Sequence, residues 1–272
     1  DGKAGYGGYG PGGGGRVAVH LTGSGKDFSA FTGDIHAYQG YFYNGSTYIK
    51  SANCASGTVY LETAADGVGK GTLLVKSYGQ TPNRGKYSGL CAADGVCEFA
   101  LVILTNGARL AVCSGATLQF GTIEADPSYK PYLELRSGAL SMPRDYVISN
   151  YTFTVMESGS GLSFQDGEGS KSLTIANTTV YLDWPLTLDG SIKVEKGGVL
   201  AHESNADLGL STPSSMYRLD LTLTGDLTIF TGGVITAKGC GYAANKGPGA
   251  PSVSGKSAAH GGLPSTGSDY AT

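Results

Sequence analysis

LDLTLTGDLTIFTGGVITAKGCGY, residues Leu219 to Tyr242, sets the pattern for the whole chain. Three short alternating runs, Leu219-Leu221-Leu223, Leu227-Ile229 and Val234-Ile235-Ala237, stand between turns at Gly225 and Gly232-Gly233. Apolar side chains at every second position give an extended segment one core-facing side, and Gly or Asp after each run ends it. The stretch therefore predicts successive short strands. The same arrangement returns in Thr187–Leu200 and in Leu101–Leu118, each a strand, a Gly-centred corner and another strand.

Working outward, Arg16–Leu21, Phe31–Gly40, Gly57–Thr63 and Gly71–Lys76 read as further short strands cut by Gly. The apolar density peaks in FALVILTNGARLAVCSGATLQFGTIEA, residues 99–125, which is the strongest core candidate. Residues 126–150 carry Pro127, Pro131 and Pro143 and read as a loop excursion around one strand, Tyr132–Arg136. Strands resume at Tyr151–Val155, Leu173–Ile175, Thr179–Leu182 and Leu186–Leu200. No apolar i, i+3, i+4, i+7 pattern persists for three turns, so no long helix is expected.

Composition narrows the class. Gly accounts for 45 of 272 residues, about twice ordinary usage, with no collagen triplet, and this demands many tight corners. A net charge of −3 provides no basic stripe for nucleic acid. No apolar run approaches the roughly 18 residues of a membrane span. Neither partner is expected. The opening Asp1-Gly-Lys-Ala-Gly has no apolar signal region, which suggests a processed product or a piece of a longer chain.

Five cysteines lack CxxC spacing. Cys91 and Cys97 flank an Asp-Gly turn and form a candidate local disulfide, two buried thiols being the alternative; Cys54 and Cys113 are the other disulfide candidates. Five is odd, so at least one thiol is free or bonded to another chain, and Cys240 is the interchain candidate. Sequons at Asn44, Asn150 and Asn177 are candidate glycosylation sites and favour an extracellular setting.

Many short strands at even spacing suit a sandwich, a propeller or a β-helix. Gly corners between β-branched runs suit a coil in which each strand bends into the next face, roughly ten turns making a rod on the order of 50 Å long. The phrases Gly12-Gly-Gly-Gly-Arg16-Val-Ala-Val-His, Phe31-Thr-Gly33-Asp-Ile35-His-Ala37-Tyr-Gln-Gly40 and Ser56-Gly57-Thr-Val-Tyr-Leu61 resemble the GGGGRIAI, FxGxIxAxGG and GGAGTVYL phrases of Gly-rich, pectin-lyase-like right-handed parallel β-helix modules. These modules belong to very large secreted surface proteins. Lys193–His202, Leu227–Tyr242 and His260-Gly-Gly262 resemble the same family's later phrases.

In that family HGG precedes GGGGR, whereas here it comes last, so the chain resembles a permuted repeat whose tail leads into the head of a following copy. The resemblance implies an all-β, right-handed parallel β-helix, or β-solenoid, over residues 16–242. A Gly-rich junction segment, 1–15, and a Gly/Pro/Ser-rich junction tail, 243–272, would flank it. Tyr6, Tyr9, Arg16, Tyr242 and His260 are the junction candidates.

Chemistry is hard to place on these residues. The acidic side chains are scattered and form no carboxylate pair of the hydrolase kind. The four histidines lack metal-ligand spacing, and no nucleophile elbow or phosphate loop occurs. No catalytic residue, metal or cofactor is expected. Asp183-Trp184-Pro185, with the single Trp, reads as a packed corner. The tyrosines Tyr38, Tyr41, Tyr43 and Tyr48 read as cross-strand packing or as a sugar-binding stripe. The expected function is a non-enzymatic extracellular structural protein that stacks on copies of itself, head to tail, into a surface fibre or appendage. The alternatives are a carbohydrate-binding adhesin module with surface glycans as partners, or a polysaccharide lyase or hydrolase.

Overall fold

A computed structural model of the chain describes residues 11–43, 46–90, 95–205 and 216–242. Among these residues the protein is all-β, its strands joined by corners and a single 3₁₀ turn, Pro127–Tyr129. No described helix is long and apolar enough to cross a membrane.

The strands collect into sheets built of sequence-distant neighbours. The first sheet runs Arg16–Leu21, Thr58–Thr63, Thr72–Lys76, Gly95–Thr105, Ala116–Ala125, Ala139–Met142 and Gly161–Phe164. The second runs Ser88–Leu90, Arg109–Cys113, Tyr132–Arg136, Thr152–Val155, Thr179–Leu182, Val199–Ala201 and Val234–Ile235. A third holds Tyr146–Ile148, Ser172–Ile175, Ser191–Val194 and Leu227–Ile229, and a fourth pairs Leu186–Leu188 with Leu221–Leu223. Pairing within the second, third and fourth sheets is parallel throughout.

From Ala139 onward the chain repeats one circuit: first or fourth sheet, third sheet, second sheet. Each third- and second-sheet strand lies beside its counterpart from the next circuit. The alternation read from the sequence points one row of each strand inward, and register stacks these rows. Leu110, Leu133, Phe153, Val180 and Leu200 are consecutive partners across the second sheet, as are Ile148, Ile175 and Val194 across the third, and all are buried.

The corners explain the glycine and asparagine content. Asn106, Asn150 and Asn177 all adopt left-handed backbone, with φ of 56°, 65° and 53°, at the bend that leads into the second sheet. Asn tolerates this conformation better than most side chains do. At Gly198 and Gly233, equivalent corners one circuit apart, an added Cβ would lie 2.2 Å from the Ile175 carbonyl oxygen and 2.3 Å from that of Val194. Successive coils touch there through backbone alone.

Several expectations are corrected. Residues 126–150 are not an excursion around one strand, since Ala139–Met142 and Tyr146–Ile148 continue the circuit. Pro131 and Pro143 sit at strand borders, where no ladder N–H is required. Phe31–Gly40 forms no strand. Near the chain's start the direction reverses: Thr58–Thr63 pairs antiparallel with Thr72–Lys76, and Arg16–Leu21 follows the reversed direction. Tyr41–Tyr43 and Tyr48–Lys50 form a small antiparallel pair of their own.

Candidate functional site

The last circuit, Leu221–Leu223, Leu227–Ile229 and Val234–Ile235, forms one end of the described structure, here termed the tail. Leu227 and Ile229 continue inward-facing rows, being the ladder partners of Ile192 and Val194. Those partners are 2% and 0% exposed, whereas Leu227 is 46% and Ile229 50% exposed. Phe230 and Val234 beside them are also exposed. The tail therefore presents core-type side chains, together with strand edges whose outer backbone groups face away from their only described partner strand.

The opposite end, the head, is built differently. Leu73 and Val75 face the core; register places Tyr60 opposite Leu73, and Ala18 beside Tyr60. The core-facing row of the head's outermost strand is consequently Arg16, Ala18 and His20. His20 Nδ1 lies 3.1 Å from Glu62 Oε1, and the Tyr60 hydroxyl donates to Glu62 and accepts from the Gly71 N–H at 2.9 Å. Hydrogen bonding from Tyr60 and then from His20 holds the Glu62 carboxyl below its ordinary pKa. The head's outermost described strand thus runs in the reversed direction and carries the exposed Arg16 and His20 on this row. The sequence-predicted junction residue Arg16 lies in this strand, and Tyr242 is half-buried near the tail; Tyr6, Tyr9 and His260 lie outside the described residues.

A second feature is a charged strip on the outer side of the second sheet. Glu134, fully buried, is ion-paired with Arg109 and accepts from Arg136 Nε at 2.9 Å. Arg136 Nη1 also reaches Glu157 at 3.3 Å. The segment 82–87 crosses over this strip: the Pro82 carbonyl accepts from Arg109 Nε at 3.2 Å, and the Tyr87 ring lies 4.5 Å from the Arg136 guanidinium. Burial lowers the Arg109 pKa to about 10. Arg84, from the same segment, is ion-paired with Glu203, donates to the Tyr217 hydroxyl at 3.0 Å and lies 3.6 Å from Asp183.

Asp183 is fully buried, and its Oδ1 accepts from the Glu203 N–H at 2.8 Å. Burial pushes its pKa up to about 7 against the attraction of Arg84 and His202. The His202 imidazole moves the other way, lowered by burial. Beside this group opens a cleft of about 460 Å³ lined in part by Tyr132, Tyr181, His202, Lys238 and Cys240. Sequence reading singled out Asp183-Trp184-Pro185 for its Trp; the acid beside it is the unusual group, and only its partners, distant in sequence, reveal this.

Cys54, Cys97 and Cys240 are free thiols, so the Cys91–Cys97 closure is not made, nor does Cys54 join a disulfide. Both expectations are corrected: Cys97 lies in the long strand Gly95–Thr105, and the buried Cys54 thiol points to the Gly40 carbonyl at 3.7 Å. Cys113 is disulfide-bonded, and its partner is none of these three. Cys91 lies outside the described residues. Cys240 is buried, its Sγ donating to the His202 carbonyl at 3.0 Å. Thiol titration of the unreduced chain in denaturant should find the three free thiols and, after reduction, all five cysteines; a lower first count would show a second pairing.

Asn150 and Asn177 are exposed at left-handed corners, and Asn44 lies outside the described residues. His36, Tyr38 and Tyr78 stack, with centroids 4.1 and 4.2 Å apart, and Tyr41 packs against Tyr78. These rings cover one another's faces, as in packing partners. Among the described residues the arrangement is an all-β protein with largely parallel sheets, one end of which leaves the core-type side chains Leu227 and Ile229 exposed. Comparison with protein-family models, curated proteins and solved structures finds no match to this chain.

Proposed function

We propose that the chain is a right-handed parallel β-solenoid module of a non-enzymatic extracellular structural protein, a subunit or repeat that stacks end to end into a surface fibre or appendage. The observation that carries this reading is the exposed core row Leu227 and Ile229, whose partners one circuit earlier are buried. A half-exposed Leu or Ile gains on the order of 1 kcal/mol when a further coil covers it. An open edge offers its backbone N–H and C=O groups to that same coil. The resemblance to secreted β-helix modules supports the extracellular setting.

Sedimentation velocity with negative-stain electron microscopy tests the reading. The chain is expected to form particles of several modules joined at their ends. The double variant Leu227→Lys, Ile229→Lys should remain as single modules with an unchanged far-ultraviolet circular dichroism spectrum. Single modules for the unmodified chain at every concentration would overturn it.

A further inference from the structure

Beyond the charged strip, the segment 82–87 forms one wall of another cleft, of about 430 Å³, beside the head's outermost strand. Arg16 and Lys86 both line this cleft, and no Asp or Glu does. Neither cation has an ion-pair partner among the described residues, whereas Glu98, which shares a neighbouring cleft with Arg16, is paired with Lys70 at 3.0 Å. A chain of net charge −3 therefore keeps two unneutralised cations in one recess. Both are fixed to the same stretch, residues 52–58. On one wall the Asn83 N–H donates to the Ala52 carbonyl and Asn83 Nδ2 to Asn53 Oδ1, each at 2.8 Å. The Lys86 N–H then closes on the Asn83 carbonyl at 2.9 Å through Gly85, whose φ is 84°. On the other wall the Gly14 N–H donates to the Ala55 carbonyl at 3.0 Å, and Arg16 is the ladder partner of Thr58.

The lining between the cations is amide and hydroxyl: Asn53, Ser56 and Thr58. Ser56 is 4% exposed, and its Oγ has no hydrogen-bond partner among the described residues. A buried hydroxyl left unmet opposes folding, and a ligand oxygen seated against it would supply the missing bond. The Cys54 thiol in the same stretch is raised by burial and drawn back by the charge of Lys86, which sets that ammonium near the lining. Tyr87, the aromatic residue of the lining, is engaged by the Arg136 guanidinium and offers no free stacking platform for a nucleobase. Two cations above hydroxyl and amide groups suit an oxyanion carried on a hydroxyl-rich molecule. We infer that this cleft binds an acidic sugar, with the carboxylate of a uronate or the sulfate ester of a sulfated hexose against Arg16 and Lys86, and the sugar hydroxyls on Asn53, Ser56 and Thr58. The site lies within one chain and does not depend on stacking. Where modules do stack, one cleft per module would hold an acidic polysaccharide at many points, and weak single contacts would combine.

Isothermal titration calorimetry of the full chain with glucuronate, glucose 6-sulfate, glucose and inorganic sulfate tests the assignment. Glucuronate or glucose 6-sulfate should bind at least about tenfold more tightly than glucose and than inorganic sulfate, and the one that binds identifies the anion. Arg16 and Lys86 are exposed, so Arg16→Gln and Lys86→Gln leave the fold intact. Each should weaken binding about tenfold, the effect of losing one charge-assisted hydrogen bond. Ser56→Ala should weaken binding without lowering the melting temperature, because its hydroxyl has no partner to lose. Lys196→Gln, an exposed cation outside the cleft, should leave binding unchanged. No heat with either acidic sugar, glucose binding as tightly as they do, or affinity unmoved by both glutamine variants would overturn the proposal. Inorganic sulfate binding as tightly as the sugars would show an adventitious ion only and would overturn it as well.

Discussion

Replacing Glu134 by alanine is expected to destabilise the protein by about 3–5 kcal/mol, the cost of removing one partner from a buried ion pair. Glu134 is wholly buried and neutralises two guanidiniums at once, Arg109 and Arg136. Arg109 is itself nearly buried and cannot turn to solvent without abandoning the Pro82 carbonyl and the Tyr132 ring, 4.1 Å away. Glu157→Ala provides the contrast. That carboxylate also touches Arg136 but is largely exposed, so its loss should cost about 0–1 kcal/mol. Urea midpoints of the two variants decide the matter, and equal shifts would show that the strip contributes no more than an exposed pair.

Stability should fall as pH rises from about 4 to about 7 through the contribution of Asp183. Its pKa is about 7 in the folded chain against an ordinary 3.8. Between those values the folded state holds a proton that the unfolded state has released. Linkage then makes folding weaker as pH increases, with the loss complete above the folded pKa. A shift of this size corresponds to on the order of 4 kcal/mol. His202 has the opposite sign: its lowered pKa removes stability as pH falls below about 6.5, which partly masks the trend in the wild type.

The comparison with Asp183→Asn separates the two. Asparagine keeps the acceptor for the Glu203 N–H, and Arg84 retains its ion pair with Glu203 and its bond to Tyr217. Melting temperatures should be similar near pH 4.5, and the variant should become progressively the more stable through pH 8. Parallel curves for the two proteins would rule out the raised carboxyl.

Most strands from Tyr151 onward were legible because a two-residue period leaves its mark wherever one side of a strand is buried. Corners were legible as Gly and Asn, but not what each corner does. Asp66-Gly67 lies in the bend that reverses the chain between Thr58–Thr63 and Thr72–Lys76, while Asp189-Gly190 bends it onward into the next face. The local residues are alike, and the difference resides in which strand is available to pair. Residues 126–150 misled because proline counts against a strand only within the ladder, and here the prolines border it.

The tail's exposure could not be read from its residues: Leu227-Thr-Ile229 has the same pattern as buried Leu173-Thr-Ile175. Only the absence of a described strand beyond it distinguishes the two. The group beside the cleft joins Arg84, Asp183, Glu203 and Tyr217, which no spacing rule connects.

The segment 82–87 also has a mechanical consequence. In stacked coils the backbone hydrogen bonds point along the stacking direction, so a pull in that direction loads them row after row and peels them apart one row at a time. Residues 82–87 run across those rows instead, tied to Arg109, Arg136, Asp183 and Glu203 on different circuits. Under tension the segment would share the load among circuits, as a tie-bar does in layered masonry.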